Sequence, residues 1–347
     1  MAKGIVGIDI GKEYTKVVYF NEKKGIVSLS HAFREETPDE MISNEGIDEE
    51  IIVDFLKNMF STHKLKNKHV AISLNSAGVI TKTLTMPLVA DEEIEQAIMW
   101  EAEQYAPFGM EQVNVDYHLF EKNEEKKEMT VLIAIAKRDI INSYKNAFRK
   151  AGIKLEIVDV DVFSLYNAFE ANHPEKSQKH NLLVDLGYSS TKLIFVNKGL
   201  PVFSRYIDFG FFYIVDDALE ILDIKPQEIE LILSNPRHDK HDDLIGFIND
   251  KLSGLYAQLS NSIAFYKTNI LELEEDIDNI IFSGIMGVLL EKIDIYTVKN
   301  LLNIDVMNFN PFDFAVKDRV VEGFDEVTSS LSSFYCIAAG LSLRGLK

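Results

Sequence analysis

The chain has 347 residues, 46% of them hydrophobic, with 55 acidic and 36 basic side chains and a net charge of −19. That length supports a large core in about two domains, and the acidic field disfavours nucleic acid and anionic lipid headgroups as direct partners. The single cysteine, Cys336, excludes an intrachain disulfide framework, no apolar run reaches the ~18 residues of a membrane span, and the N-terminal stretch lacks a signal-peptide core, so a cytoplasmic protein is expected.

In chain order, residues 5–10 and 15–20 read as two strands around a glycine turn. Ile47, Ile51, Phe55 and Met59 stand at steps of four and predict a helix stripe. Residues 69–74 and 79–86 read as strands, the second stopping at Pro87. Residues 91–106 predict a helix with Asp91 as its cap, Ile94, Ile98, Ala102 and Tyr105 on one face, and Pro107 as its stop. Two strands flank the charged turn at 121–128, and a helix follows that Gly152 closes. The polar segment 171–181 is the expected boundary between halves. Beyond it, strands are expected at 182–186, 191–196 and 200–206, a mostly helical region at about 211–273, a strand at 279–284, and a C-terminal helix with Ala338, Ala339 and Gly340.

One pattern occurs twice. "DIGKEYTK" (9–16) and "DLGYSSTK" (185–192) both read aspartate, apolar, glycine, three variable residues, threonine, lysine, and each is flanked by apolar runs. A tight glycine turn between two strands points successive N–H groups inward, which suits phosphate oxygens. An aspartate ending the first strand can hold hydrated Mg²⁺. Two such turns facing one cleft would clamp a polyphosphate from both sides; two ordinary hairpins with turn-favouring Asp and Gly are the alternative.

The paired hairpins resemble the phosphate loops of the actin, Hsp70 and sugar-kinase fold, with "IIFSGIMG" at the place of its adenosine loop. The block at 79–120 is more specific. It carries Pro87, Glu93, Glu101, Ala102, Glu103, Gln104, Tyr105, Pro107, Phe108, Asp116 and Tyr117, and with the ending "AAGLSLRGLK" it resembles the PilM family of type IV pilus assembly. The resemblance implies an α/β, actin-like ATPase fold of two duplicated RNase H-like halves with an inserted subdomain in each. The first half would span 1–157, with its insert at about 76–157. The second would span 158–347, with a helical insert at about 211–275 and helix 329–347 packing back on the first half.

It further implies ATP with Mg²⁺ in the cleft. Asp9, Gly11, Lys12, Glu13, Tyr14 and Lys16 would line the first loop, Asp185, Gly187, Tyr188, Ser189 and Ser190 the second, and Gly284, Ile285 and Gly287 the adenosine loop. Asp9 and Asp185 would be the metal residues. The implied partner is the N-terminal tail of PilN, an inner-membrane protein, held between the first sheet and its insert. The membrane is then reached only through that partner, with no nucleic acid involved and a homo-oligomer allowed. The related FtsA family adds a C-terminal membrane-binding helix, which is not expected here.

The chain departs from the family at the nucleotide. Lys12, Glu13 and Tyr14 replace small hydroxyl residues, Phe211 follows Gly210, Ile285 and Met286 interrupt the adenosine glycines, and Gln258 and Asn261 replace a Glu and an Arg. Two lost charge-assisted hydrogen bonds at roughly 1.5–3 kcal/mol each would weaken binding by about 10²–10⁴-fold. The expectation is a tail-binding scaffold with weak or degenerate ATP binding and no efficient hydrolysis. The alternatives are an ATP-hydrolysing enzyme and a polymerising cytoskeletal protein of the same fold. Outside the cleft, His238 and His241 read as a solvated loop, Trp100 as a packing residue and Cys336 as a buried thiol.

Overall fold

The computed structural model describes residues 4–43, 46–66, 69–75, 78–106, 109–270, 276–290, 292–293, 299–300, 302–322 and 330–346. Pro107 and Phe108 lie outside them. The first part of the chain forms β1 (Val6–Ile10), β2 (Tyr14–Lys23), β3 (Ile26–Glu36), the short β4 (Ile42–Ser43) and β5 (Gly46–Ile47), α1 (Glu49–Thr62) and β6 (His69–Leu74). There follow β7 (Val79–Pro87), α2 (Ile94–Tyr105), β8 (Val113–Asn123), β9 (Glu128–Lys137), α3 (Arg138–Lys150) and β10 (Lys154–Val160). After α4 (Asp161–Asn172) and α5 (Pro174–Ser177) come β11 (Asn181–Leu186), β12 (Thr191–Asn197) and β13 (Leu200–Ile207). The remainder is α6 (Phe211–Leu222), α7 (Pro226–Ser234), α8 (His241–Asn269), β14 (Asn279–Gly284), α9 (Ile285–Leu289), β15 (Asp305–Asn308), β16 (Val316–Glu322) and α10 (Cys336–Leu343).

The duplication seen in the sequence extends to whole sheets. One has the order β3-β2-β1-β6-β10, the other β13-β12-β11-β14-β15, and β16 extends the first beyond β3. In each, the first two pairings from the hairpin side are antiparallel and the next two parallel. A third sheet, β7-β9-β8, is inserted between β6 and α3.

Burial arranges these sheets in layers. The outer face of the first sheet packs Val6, Ile8 and Val17 on α1 and α3 through Leu56, Met59 and Phe148. The outer face of the second packs Leu182, Val184 and Phe195 on α6, α7 and α8. Between the sheets lie α4 and α10, whose Leu165, Phe169, Ala338 and Leu341 join Val18 and Phe20 of one sheet to Leu183 and Ile194 of the other. The inserted sheet turns Val131, Ile133 and Ile135 toward α2 and Ala134 toward the central layer. On that inner side Thr81 Oγ1 meets Ser204 Oγ at 2.7 Å and Thr83 Oγ1 donates to Pro201 O at 2.6 Å.

Small residues let α10 sit this close. A Cβ at Gly340 would lie 1.7 Å from Ser164 O, and one at Gly7 2.1 Å from Ala338 O. Ser342 Oγ accepts from Phe20 N at 2.9 Å and donates to Ile5 O at 2.8 Å, tying the helix to β1 and β2.

Several sequence expectations need correction. Strand β3 has a mixed pattern and was not expected. The buried stripe of α1 is Ile52, Val53, Leu56, Met59 and Phe60; of the expected stripe Met59 is in its centre, and Ile47, Ile51 and Phe55 are half-buried at its margin. Asp91 does not cap; it pairs with Lys122 of β8. Trp100 is 65% exposed, lying round the helix from the buried Ile94, Ile98 and Ala102. Within the polar segment 171–181, Ser177, His180 and Asn181 are buried and His180 lies within hydrogen-bond distance of Asp278, Asp276 and Tyr266, while residues 174–176, 178 and 179 are exposed.

The packing of α10 makes one position far less tolerant than others of the same type. Gly340→Ala should lower the urea midpoint by the equivalent of about 2–3 kcal/mol, since backbone must move to admit the methyl group. Gly254→Ala in α8, with nothing within 4 Å of its added Cβ, should be neutral or stabilise by up to about 1 kcal/mol.

Candidate functional site

The two matched hairpins are built alike at atomic level. Gly11 N donates to Tyr14 O at 3.2 Å, and Gly187 N to Ser190 O at 2.9 Å. Asp9 faces Lys16 across one hairpin and Asp185 faces Lys192 across the other. A Cβ at Gly11 would meet Tyr14 O and Lys16 Nζ; one at Gly187 would meet Ser190 O and Lys192 Nζ. The same two neighbours crowd each turn, more tightly at Gly11 (2.7 and 3.2 Å) than at Gly187 (3.0 and 3.4 Å). The buried threonines brace the turns from behind: Thr15 Oγ1 contacts Thr37 Oγ1 at 2.9 Å, while Thr191 Oγ1 donates to Phe209 O at 2.7 Å.

The lysines occupy the carboxylates. Lys16 Nζ lies 3.1 Å from Asp9 Oδ2. Lys192 Nζ lies 3.3 Å from Asp185 Oδ2 and 4.0 Å from Asp161 Oδ2. Burial works against the charge on Lys192, but the carboxylates of Asp185, Asp161 and Asp9 outweigh it and raise its pKa well above that of an ordinary lysine. The Asp9 charge also acts on Lys192, so the two hairpins lie near one another. Asp185 Oδ1 in turn accepts from Ser283 Oγ at 2.8 Å.

Glu13 of the first turn and Tyr188 of the second lie close enough to act on each other's ionisation. Burial raises the pKa of Glu13, Tyr188 lowers it, and Glu36 and Asp39 raise it further. Tyr188 is pushed up to about 12 by burial and by the Glu13 charge. The ring of Tyr188 stands edge-on to Phe212, 5.7 Å between centroids. Of the other expected residues, Lys12 and Ser189 are exposed, Ser190 is buried, and Tyr14 lies under the Arg34 guanidinium at 4.9 Å.

Gly284 ends β14 at φ +64, where a Cβ would lie 2.4 Å from Leu186 O. The turn is therefore glycine by necessity, pressed against the second hairpin, with Ser333 Oγ donating to Gly284 O at 2.9 Å. Ser333 also fills the space beside Gly287, where a Cβ would meet it at 2.6 Å. Met286 is fully buried in the second core and Ile285 packs on that core. The extra bulk of this loop is taken up inside the molecule.

Sequence reasoning missed Lys192 and Asp161 as site residues, although Lys192 ends the repeated motif. It also missed Arg34 of β3 and Glu230 of α7, which approach to 3.6 Å between the two halves. The donor chemistry fits a phosphate group at the glycine turns better than Mg²⁺ at the aspartates, since Asp9 and Asp185 each already have an ammonium partner. Among the described residues no group of three or more metal-ligating side chains comes together, and no helix is long and apolar enough to cross a membrane.

Residues 7–346 match the family described as type IV pilus assembly protein PilM. Among solved structures, the chain is similar to a PilM-PilN type IV pilus biogenesis complex, with TM-score 0.83 and 19% identity over 99% of this chain and 98% of that one. It is similar to the ethanolamine utilization protein EutJ from Carboxydothermus hydrogenoformans, with TM-score 0.54 and 11% identity over 99% and 89%. It is also similar to MreB5 of Spiroplasma citri bound to ADP, with TM-score 0.54 and 13% identity over 98% and 95%. At such identities the likeness concerns the fold, which is actin-like α/β.

The charges of the cleft predict unequal mutational costs. Lys192→Met leaves the buried Asp161 and Asp185 without their ammonium and should destabilise by about 3–5 kcal/mol. Lys16→Met, beside a more accessible aspartate, should cost about 1 kcal/mol. Urea denaturation of both variants at neutral pH measures the difference.

Proposed function

The chain belongs to the PilM family of type IV pilus assembly proteins, and from this premise we propose that it is a scaffold of the pilus machine holding the N-terminal tail of a PilN-type membrane protein. The observation that carries the reading is the pairing of a PilM-PilN complex of the same fold with two strand edges that converge in this chain. Strand β8 ends the inserted sheet and β10 ends the first sheet. Asp116 of β8 acts electrostatically on Asp159 of β10, so the start of one edge lies near the end of the other.

An extended tail between them takes main-chain hydrogen bonds from an edge and seats alternate side chains in the groove. Asp159 is buried against Arg344, 3.2 Å away, so the exposed Asp116 is the carboxylate that this end of the groove presents to a basic tail. The membrane is reached through that partner. The 1–157 and 158–347 halves act as one scaffold, the inserted sheet supplying the groove wall. The cleft is read as a degenerate nucleotide site that binds ATP weakly, without a ligand set of its own for Mg²⁺. The enzyme and filament readings lose ground because both cleft aspartates are engaged by lysines.

Calorimetry with a synthetic tail peptide of the PilN-type protein tests this. Micromolar binding, about −8 kcal/mol, is expected. Asp9→Ala with Asp185→Ala, in folded protein, should retain it, whereas Asp116→Arg at the exposed edge should weaken it by at least about tenfold. Loss of binding in the aspartate pair with Asp116→Arg unaffected would overturn the reading.

A further inference from the structure

Away from the cleft, a cavity of about 400 Å³ opens between α1 and the end of β3, a size common for small binding sites. Its lining joins the apolar Pro38, Ile51, Phe55 and Met59 to the carboxylates of Glu35 and Asp54. Among the described residues no basic side chain lines it; Lys57, the one base within α1, does not. Met59 is buried, and Ile51 and Phe55 pack on the core under the first sheet, so the apolar part is fixed in place. Glu35 is fixed as well: its Oε1 lies 2.5 Å from His63 Nε2, and that imidazole stacks on Phe33 with 3.5 Å between ring centroids. Asp54 is exposed at the surface, as are Glu36, Asp39 and Glu50, each next in the chain to a lining residue.

We propose that this cavity is a docking socket for a basic segment of a second protein partner, which seats an apolar side chain between α1 and β3 and sets lysine or arginine against Glu35 and Asp54. A neutral apolar group would cover the carboxylates without pairing them, which costs free energy. A bare polyamine would meet the charges and leave the apolar lining wet. A basic segment with an apolar residue at its centre meets both halves of the lining, and the net charge of −19 steers such a segment inward. The socket is also separate from the groove assigned to the tail. Strands β3 and β10 stand at opposite ends of the order β3-β2-β1-β6-β10, which at about 4.8 Å per step puts them roughly 19 Å apart. Both partners can then be held at once, and the proposal does not depend on the tail reading.

Fluorescence anisotropy of the full chain with a short labelled peptide, leucine flanked on both sides by arginine and lysine, tests it. The same peptide with serine for leucine should bind at least about fivefold more weakly, and spermidine should not displace the probe. Asp54→Lys and, separately, Asn58→Trp change exposed lining residues without touching the core. Each should weaken the probe by at least about fivefold, the first by reversing a charge and the second by filling the mouth. Glu220→Lys on α6, an exposed charge reversal elsewhere, should change it less than about twofold. A saturating PilN-type tail peptide should leave probe binding unchanged. Displacement of the probe by the tail, equal binding of the serine peptide, or indifference to both socket variants in protein folded by circular dichroism would overturn the proposal. So would absence of probe binding, including the case where sedimentation shows self-association that Asp54→Lys abolishes, since a second copy would then be the occupant. Failure of the tail peptide to bind, with the probe behaving as expected, would count against the tail reading alone.

Discussion

Taking a charged side chain out of water costs several kcal/mol unless an opposite charge stands beside it, and this chain meets that condition at the ends of two duplicated strands. Asp185 and Asp161 are buried, and Lys192 reaches both. The arrangement forces β11, β12 and the start of α4 together, because moving any of them strands a charge. It also fixes what the cleft can accept. A site whose aspartates are already neutralised has little left to offer a divalent ion. The polarity of the cleft follows from one lysine more than from any loop.

The layered architecture turns that local condition into a rigid frame. Helices α4 and α10 fill the space between two sheets of equal topology. Their approach depends on positions where even a methyl group would collide with backbone. Close-packed interiors of this sort transmit displacement rather than absorb it. Both hairpins are therefore carried on sheets that one packed central layer joins.

Much of this was legible in the sequence, and the remainder failed for identifiable reasons. The repeated aspartate-glycine-lysine pattern marked both hairpins because strand and turn chemistry are local. The family resemblance at 79–120 marked the inserted sheet. Strand β3 escaped notice because Ser28, Ser30, His31 and Arg34 break its alternation; its partners on both sides, β2 and β16, supply the order its own pattern lacks. The pair Arg34 and Glu230 joins two halves of the chain and leaves no periodic signal. Lys192 was visible as the end of a motif, but a motif does not say whether a lysine waits for a phosphate or already holds an aspartate.

Helix α10 connects the cleft to the groove assigned to the tail. At its start, burial and then the charge of Asp185 raise the pKa of the Cys336 thiol, which places the helix N-terminus at the second hairpin. Just past its end, Arg344 Nε lies 3.2 Å from Asp159 Oδ2 on the β10 edge. Gly340 against Ser164 and Ala338 against Gly7 leave the helix no slack between these ends. A nucleotide that opened or closed the cleft would have to move α10 against that packing and so reshape the β10 edge. Cleft and β10 edge are therefore two ends of one tightly seated helix, and the glycines that let α10 in among its neighbours hold both ends in place together.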